Sequence, residues 1–249
     1  MTDALQPGAT IGILGGGQLG RMLSMAAARL GLKTHIFEPS ANPPAGHVAD
    51  HVTTAEYSDV AALKAFANSV DIITYEFENI PTEALDIIET LRPIRPTRGA
   101  LAVSQDRIAE KAFLAELGIS IAPHAQIDSL ADLIAALETI GTPAILKTRR
   151  FGYDGKGQNR ITNVDQAKEA FTALKDAPAV LEGFVDFTRE VSVIAARGVD
   201  GAVVCYDPGE NVHKDGILDT TTVPATLAAR LYMDAIPLAG KIQIGKAHV

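Results

Sequence analysis

The order of apolar and polar residues over the first hundred positions predicts strands that alternate with helices. Three short apolar runs have the length and composition of buried strands: Thr10–Leu14, Lys33–Phe37 and Asp71–Glu76. Between and after them lie stretches with helical spacing of apolar residues, such as Ser58–Asn68 and Thr82–Leu91. This order favours right-handed crossovers, so we predict an N-terminal domain built on a parallel sheet.

The first helix is predicted to begin directly after a glycine turn and to end at Gly31. Four apolar residues recur along it at helical spacing: Leu19, Met22, Leu23 and Ala26. Side chains at this spacing share one side of a helix. We therefore predict a helix with these four residues on one apolar face.

The pattern changes near residue 104, where charged helices and then closely spaced strands begin. Helices are predicted at Gln105–Leu117 and Leu130–Ile140. Four strands follow, separated by turns: Ala144–Thr148, Ala179–Phe184, Glu190–Arg197 and Ala202–Tyr206. We predict a parallel α/β domain at 1–103, a mostly antiparallel second domain at 104–227 and a divergent tail at 228–249, which contains the amphipathic stretch Leu231–Ile242.

Composition and charge exclude several functional classes. The chain has 249 residues, 47% of them hydrophobic, and a net charge of −8, which argues against a broad nucleic-acid or anionic-membrane surface. The first residues lack the pattern of a secretory signal, and no apolar stretch is long enough to cross a membrane, so we expect a cytosolic protein. The single cysteine, Cys205, excludes an internal disulfide, and its apolar neighbours predict a buried, inert thiol.

A glycine-rich turn after the first strand is the first candidate binding site. Gly15–Gly20 fits the G-x-G-x-x-G pattern, and Glu38 ends the second strand, where an acid binds ribose in dinucleotide folds. Glycines let the backbone approach an anion, and a helix N-terminus offers free N–H groups. The pattern leaves three interpretations open: NAD, another phosphate ligand, and a tight turn with only a structural role.

A second glycine loop, Phe151–Gln158, lies between two predicted strands and follows Lys147. Such a loop can fold over a polyphosphate with its N–H groups and Lys156 facing the negative charge. It has no Walker A spacing and opens no helix. The alternative interpretation is a glycine-rich hairpin tip with a solvated lysine.

Three further positions have both a binding and a structural interpretation. Glu182, beside backbone groups at a strand end, could bind an adenine edge and a ribose hydroxyl, or it could simply end the strand. Glu190 could face a nucleotide or a solvated surface. His213 is predicted in a polar loop, where an isolated histidine is more often a surface residue than a catalytic base.

Taken together, five segments carry a resemblance to a known family. They are GGGQLGRM at 15–22, YEFENIP at 75–81, QDR at 105–107, LKTRRFGYDGKGQ at 146–158 and NVHKDGILDTT at 211–221. In this combination and order the chain resembles the 5-(carboxyamino)imidazole ribonucleotide synthetases, a family of ATP-grasp ligases. The resemblance implies a Rossmann-like pre-ATP-grasp domain followed by an ATP-grasp module, which is incomplete in this chain.

The resemblance also implies two sets of binding residues. The implied ATP site consists of Arg107, Lys147, Gly152, Tyr153, Asp154, Gly155, Lys156, Gly157, Gln158, Glu182, Gly183, Phe184, Val185, Glu190 and His213. The implied ribonucleotide side consists of Gly17, Gln18, Leu19 and Glu76. If this assignment holds, neither NAD nor a ribose-binding role for Glu38 is needed.

The implied reaction uses ATP with Mg²⁺, bicarbonate and 5-aminoimidazole ribonucleotide, and it gives the carboxyamino product, ADP and phosphate. The family also suggests a homodimer. Family members continue with a segment that carries the acidic metal ligands, whereas the only acid after Asp219 in this chain is Asp234. We therefore expect no complete set of metal ligands, and impaired or absent turnover. A non-catalytic ATP-binding remnant and an NAD-dependent oxidoreductase remain as alternatives.

Overall fold

The computed structural model describes residues 4–152, 157–214 and 216–245, which form two compact units divided between Ser104 and Gln105. The first unit is an α/β structure built on a four-stranded parallel sheet with the strand order β3-β2-β1-β4. Its strands are β1 Thr10–Leu14, β2 Lys33–Glu38, β3 His51–Thr54 and β4 Ile72–Tyr75. Its helices are α1 Gln18–Arg29, α2 Val60–Asn68, α3 Thr82–Ile88 and α4 Arg98–Gln105.

The second unit contains the remaining elements. Its helices are α5 Arg107–Glu116, α6 Leu130–Ile140, α7 Ala167–Ala173 and α8 Ala229–Gly245. Its strands are β5 His124–Ile127, β6 Ala144–Thr148, β7 Gln158–Ile161, β8 Ala179–Gly183, β9 Glu190–Ser192, β10 Ala195–Arg197, β11 Val203–Cys205, β12 Gly209–Lys214 and β13 Ile217–Thr222. They form antiparallel sheets in the orders β5-β8-β6-β7, β13-β12-β9 and β10-β11. The predicted α/β class, with a parallel N-terminal sheet, is confirmed.

Each unit has its own apolar core. In the first, Leu14, Phe37, Leu63, Phe66 and Leu85 are almost completely buried between the sheet and its helices. In the second, one face of the sheet β5-β8-β6-β7 packs against α6 and α7 through a buried cluster that includes Leu133, Leu146, Phe171 and Leu181. The opposite face carries the charged side chains of Lys147 and Glu182 beside the apolar Ile145 and the buried Val180, and it is the more polar of the two faces. Among the described residues, no helix is both long and apolar enough to span a membrane.

The buried face of α1 is not the face that carries the four predicted apolar residues. Gly20, Ser24 and Ala27 are its buried residues, whereas Leu19 and Met22 are 55% and 58% exposed. Leu23 and Ala26 are exposed as well. The reason is steric: a Cβ atom at Gly20 would lie 2.9 Å from the carbonyl oxygen of Gly15, so only small residues allow the helix to approach this closely.

Two other boundaries differ from the sequence-based expectation. The predicted helix Gln105–Leu117 is interrupted at Asp106, which has extended backbone angles and accepts hydrogen bonds from the N–H groups of Ile108 and Ala109 as the N-cap of α5. The predicted strand Glu190–Arg197 is two strands, because β9 pairs with β12 while β10 pairs with β11. Cys205, predicted to be buried, is only partly buried on β11.

His35 on β2 is a buried polar residue whose two ring nitrogens both contact hydroxyl groups. Nδ1 lies 2.9 Å from Ser69 Oγ and Nε2 lies 2.8 Å from Thr53 Oγ1. The Ser69 hydroxyl donates to the carbonyl of Phe66, so we assign the proton to Nδ1, which then donates to Ser69. Burial, and next the nearby His51, lower the pKa of His35 below its usual value of 6.5.

From this arrangement we predict that the free energy of unfolding decreases as the pH falls below about 6.5. A histidine with a lowered folded-state pKa contributes its full stability above the unfolded-state pKa and loses it on acidification, with a slope of at most about 1.4 kcal/mol per pH unit. Urea midpoints of the wild type and His35→Gln between pH 7.5 and 5.5 measure this. The exposed His124 gives the control His124→Gln, and equal slopes in the wild type and His35→Gln would contradict the assignment.

Candidate nucleotide site

The polar face of the sheet β5-β8-β6-β7 carries the main cluster of predicted ATP-binding residues. Glu182 on β8 lies opposite Ile145 on β6, and Lys147 is two positions further along β6 on the same face. The two side chains meet diagonally, with Lys147 Nζ 2.7 Å from Glu182 Oε2. The strand periodicity that buries Leu146 and Leu181 in the core thus directs this ion pair to the other side of the sheet.

Helix α5 adds a second cation that the sequence analysis missed. Lys111 Nζ lies 2.9 Å from Glu182 Oε1, the carboxylate oxygen that Lys147 does not contact. Lys111 is one helical turn after Arg107, so the i, i+4 spacing on α5 was the available signal. Burial by itself would raise the pKa of Glu182, but hydrogen bonds from Lys147 and Lys111 outweigh it and lower that pKa.

The start of α5 is fixed to the end of β6 by a second ion pair. Arg149 donates to both carboxylate oxygens of Asp106, at 3.2 and 2.7 Å. Burial opposes ionisation of Asp106, but these bonds and those from the helix N–H groups outweigh it and lower its pKa. The N–H of Arg107 donates to the carbonyl of Arg149, and its Nε donates to the carbonyl of Thr148. Arg107 is thereby held beside the end of the strand that carries Lys147.

The second glycine loop connects the end of β6 to the start of β7, at the same end of these strands as Lys147. Gln158 pairs with Lys147 in the β6–β7 ladder, and the N–H of Thr148 donates to the carbonyl of Gly157. Gly157 has a φ of +70°, and a Cβ there would lie 2.8 Å from Thr148 Oγ1, so the loop requires glycine at this point. Gly152 is described, whereas the predicted ATP-binding residues Tyr153, Asp154, Gly155 and Lys156 lie outside the described residues.

The segment after Glu182 uses part of its backbone within the protein. The N–H of Gly183 donates to the carbonyl of Pro123, and the N–H of Phe184 donates to the carbonyl of Pro143. These two N–H groups are therefore engaged before any ligand binds. Val185, the last residue of the predicted segment, is 51% exposed.

Glu190 and His213 lie on a different sheet of the same unit, on β9 and β12. Glu190 Oε1 is 3.4 Å from His213 Nδ1 and accepts a hydrogen bond from Asn211. His213, predicted in a loop, is on a strand because β13 pairs with β12 across the following turn. The described members of the predicted ATP site thus fall into two groups, with Glu190 and His213 on this sheet and the others on or beside the sheet β5-β8-β6-β7.

The glycine turn of the first unit already holds an anion, and that anion is a side chain of the chain itself. Glu76, just after β4, accepts hydrogen bonds from the N–H groups of Gly17 and Gly20 at the start of α1. Glu38 accepts from the N–H of Gly16 at 2.9 Å. A dinucleotide pyrophosphate would need these same groups, so the arrangement does not favour an NAD site. Gln18 and Leu19 are exposed beside the turn.

Gly15 shows why the turn is rich in glycine. It has a φ of +97°, and a Cβ there would lie 2.5 Å from Cγ of Glu76. A side chain at this position would therefore both strain the backbone and displace the carboxylate. The glycine pattern is explained locally by the close approach of Glu76.

Among the described residues, no group of three or more His, Cys, Asp or Glu side chains could hold a metal ion. Glu182 and Asp106 are each paired with cationic side chains, and Glu190 bonds to Asn211 and lies beside His213. The described residues alone therefore do not make a Mg²⁺ site of several carboxylates.

Two family models match the chain. Residues 8–105 match the ribonucleotide synthetase preATP-grasp domain, and residues 112–244 match the ATP-grasp domain.

The chain also resembles characterised and solved proteins over almost its whole length. It is 53% identical to the N5-carboxyaminoimidazole ribonucleotide synthase of Brucella melitensis over 241 residues, which are 96% of this chain and 67% of that protein. The ADP complex of the Staphylococcus aureus synthetase matches with a TM-score of 0.91 and 36% identity, over 97% of this chain and 64% of that one. The Aspergillus clavatus synthase in complex with ADP and 5-aminoimidazole ribonucleotide matches with a TM-score of 0.88 and 30% identity, over 96% and 63%.

The chain spans about two thirds of the length of these relatives. Both of its units match the domains of one family in the expected order, and the sequence identity extends through both. The chain therefore belongs to the N5-carboxyaminoimidazole ribonucleotide synthase family.

Proposed function

We propose that this chain binds ATP on the polar face of the sheet β5-β8-β6-β7 and that it acts in the ATP-dependent carboxylation of 5-aminoimidazole ribonucleotide. The main support for this proposal is the cluster of Lys147, Glu182 and Lys111, which lies at the end of the sheet where the glycine loop connects β6 to β7. One anion there is shared by two cations, so the cluster has an excess positive charge that suits a polyphosphate. Relatives solved in complex with ADP support the binding of an adenine nucleotide.

In this proposal the phosphates lie near Lys147 and Arg107, under the loop 152–158. Adenine would contact the segment 182–185. Because the N–H groups of Gly183 and Phe184 already donate to carbonyls, the backbone of Val185 is the donor we propose for the base. Glu190 and His213 would complete the ATP site from the second sheet.

The ribonucleotide is proposed to bind at the glycine turn of the first unit, near Gly17, Gln18, Leu19 and Glu76. Glu76 holds two N–H groups of that turn, so its proposed role is to fix the turn's conformation as well as to face the substrate. If a Glu76 variant loses ribonucleotide binding, part of that loss is therefore expected to come from the changed conformation of the turn rather than from a lost contact with the substrate.

The proposed reaction joins bicarbonate to the ribonucleotide amine at the expense of ATP. Bicarbonate is a poor electrophile, and its phosphorylation gives carboxyphosphate, which delivers carbon dioxide beside the amine. For such a reaction the protein supplies mainly position and charge neutralisation. Lys147 and Arg107 would offset phosphate charge, and the loop would exclude water. Mg²⁺ is proposed as the cofactor on the basis of the family resemblance, and the described residues alone supply no site of several carboxylates for it.

Calorimetric titration with a non-hydrolysable ATP analogue and Mg²⁺ tests nucleotide binding directly. We expect saturable binding of the analogue and no binding of NADH at the same concentrations. Binding of NADH but not of the analogue would overturn the proposal in favour of the dinucleotide interpretation.

A second candidate function is ATP binding without turnover, which the absence of an acidic cluster among the described residues favours. The two candidates differ in one measurement, the ATP- and bicarbonate-dependent consumption of 5-aminoimidazole ribonucleotide. Consumption by the purified chain supports the ligase, whereas analogue binding without consumption at saturating Mg²⁺ supports the non-catalytic protein.

The proposal extends to a homodimer in the cytosol. The homodimer comes from the family resemblance, and the location is the one expected from the sequence. Sedimentation equilibrium of the purified chain measures the oligomeric state, and a concentration-independent monomer would contradict the dimer.

A further inference from the structure

Three mostly buried charges form a cluster in the second unit, in which one anion contacts two cations. Glu182 Oε1 contacts Lys111 at 2.9 Å, and Glu182 Oε2 contacts Lys147 at 2.7 Å. The side chains of Lys111, Glu182 and Lys147 are only 12%, 14% and 22% exposed. Each lysine therefore has its own carboxylate oxygen, and the two do not compete for one position.

The cluster presents a problem for nucleotide binding that Lys111 can solve. In the absence of nucleotide, Lys147 is bound to Glu182, so a phosphate must share or capture this ammonium group. If Glu182 had no other partner, the captured lysine would leave behind a buried carboxylate without a counter-charge, which is costly. Lys111 keeps one oxygen of Glu182 neutralised throughout, because it reaches that oxygen from a different element.

We propose that Lys111 is a positioning residue for the nucleotide site, which holds Glu182 so that Lys147 is available to the phosphates. This inference rests on the proposed function, since it assumes that Lys147 binds nucleotide phosphate. Helix α5 would then contribute two cations to the site. Arg107 contacts the end of β6, and Lys111, one helical turn later, contacts the carboxylate of Glu182 on β8. The ion pair between Asp106 and Arg149 fixes the position of that helix.

The proposal predicts an effect on phosphate binding that is separate from an effect on folding. In Lys111→Met the aliphatic stem is retained and the charge is lost, so Lys147 is held more firmly by Glu182. We expect the affinity for the ATP analogue to fall about tenfold, a typical effect of one charged hydrogen bond. The affinity for adenosine is expected to fall much less, because adenosine lacks the phosphates that Lys147 would bind. Lys111→Arg is expected to restore the wild-type ratio of the two affinities.

The matched control is Lys168→Met, which removes the same charge from an exposed position on α7. A further test places Lys111→Met in the background Glu182→Gln. A neutral amide needs no counter-charge, so the loss caused by Lys111→Met is expected to shrink to less than about twofold there. A purely structural lysine would cost the same in both backgrounds and would weaken adenosine and the analogue alike.

The experiment separates failure of this inference from failure of the proposed function. If the wild-type chain does not bind the analogue, the nucleotide site itself is wrong and Lys111 loses the proposed role with it. A second outcome has the wild type binding the analogue, Lys147→Ala weakening that binding, and Lys111→Met keeping the wild-type ratio of analogue to adenosine affinity. In that case the nucleotide site is right and only the role of Lys111 is wrong. If Lys111→Met is poorly folded by thermal unfolding, Lys111→Gln and Lys111→Arg give the same comparison, and equal ratios in these two variants would also overturn the proposal.

Discussion

Replacement of Glu76 by alanine is expected to destabilise the first unit by about 3 kcal/mol, since two charge-assisted hydrogen bonds at the start of a helix are lost together. The N–H groups of Gly17 and Gly20 both donate to this carboxylate. Gly20 is buried, and the glycine turn packs tightly around Glu76, so water has little room to replace it. Glu76→Gln keeps one acceptor oxygen and is expected to lie between the wild type and Glu76→Ala.

Hydrogen exchange of the peptide that covers residues 15–29 is the appropriate measurement, because a two-unit chain need not unfold in one step. Exchange in this peptide should accelerate in Glu76→Ala, while peptides of the second unit keep their wild-type rates. Glu78→Ala removes an exposed carboxylate two residues away and is the matched control. If both variants changed the peptide by the same amount, Glu76 would not be the anion that holds the turn.

The glycine turn illustrates what a motif does and does not specify. From G-x-G-x-x-G after a strand, the sequence predicts a tight turn followed by a helix, and both are present. The pattern left open whether the N–H groups bind a ligand or have only a structural role, and in the structure they donate to the side chain of Glu76. The identity of the anion could not be predicted, because Glu76 is 59 residues away from Gly17 along the chain. That contact depends on β4 being the neighbour of β1 in the sheet.

The packing side of α1 could not be predicted for a related reason. Apolar periodicity identifies a helix and the side on which large residues lie. How closely the helix approaches the sheet depends on Gly20, Ser24 and Ala27, whose small size a hydrophobicity pattern does not register. Close backbone approach therefore decided which side is buried, and the large residues lie on the exposed side.

In the second unit, the local signals singled out candidate residues but did not predict their contacts. Lys147 and Glu182 lie on predicted strands, and their meeting follows from the antiparallel pairing of β6 with β8. Lys111 was missed because its partner is on another element, and charged helix positions are usually solvated. The family resemblance supplied the roles of Glu190 and His213, which remain predictions, since spacing alone left both of them ambiguous.

Replacement of Lys147 by alanine is expected to weaken binding of the ATP analogue by about 10- to 100-fold, the effect of one charge-assisted contact to phosphate. Stability should change little, because Glu182 keeps Lys111 at 2.9 Å as its counter-charge when Lys147 is removed. The variant thus separates binding from folding, which most substitutions of buried charges do not.

Calorimetry of the wild type, Lys147→Ala and the control Lys168→Ala measures the difference in affinity, and thermal unfolding of the same samples measures stability. Lys168 is exposed on α7 of the same unit, so its loss changes the net charge equally without touching the cluster. Equal affinities in all three proteins would place the phosphates elsewhere. Lost affinity together with a large drop in unfolding temperature would mean that Lys111 does not compensate Glu182, because the remaining pair should keep the carboxylate satisfied.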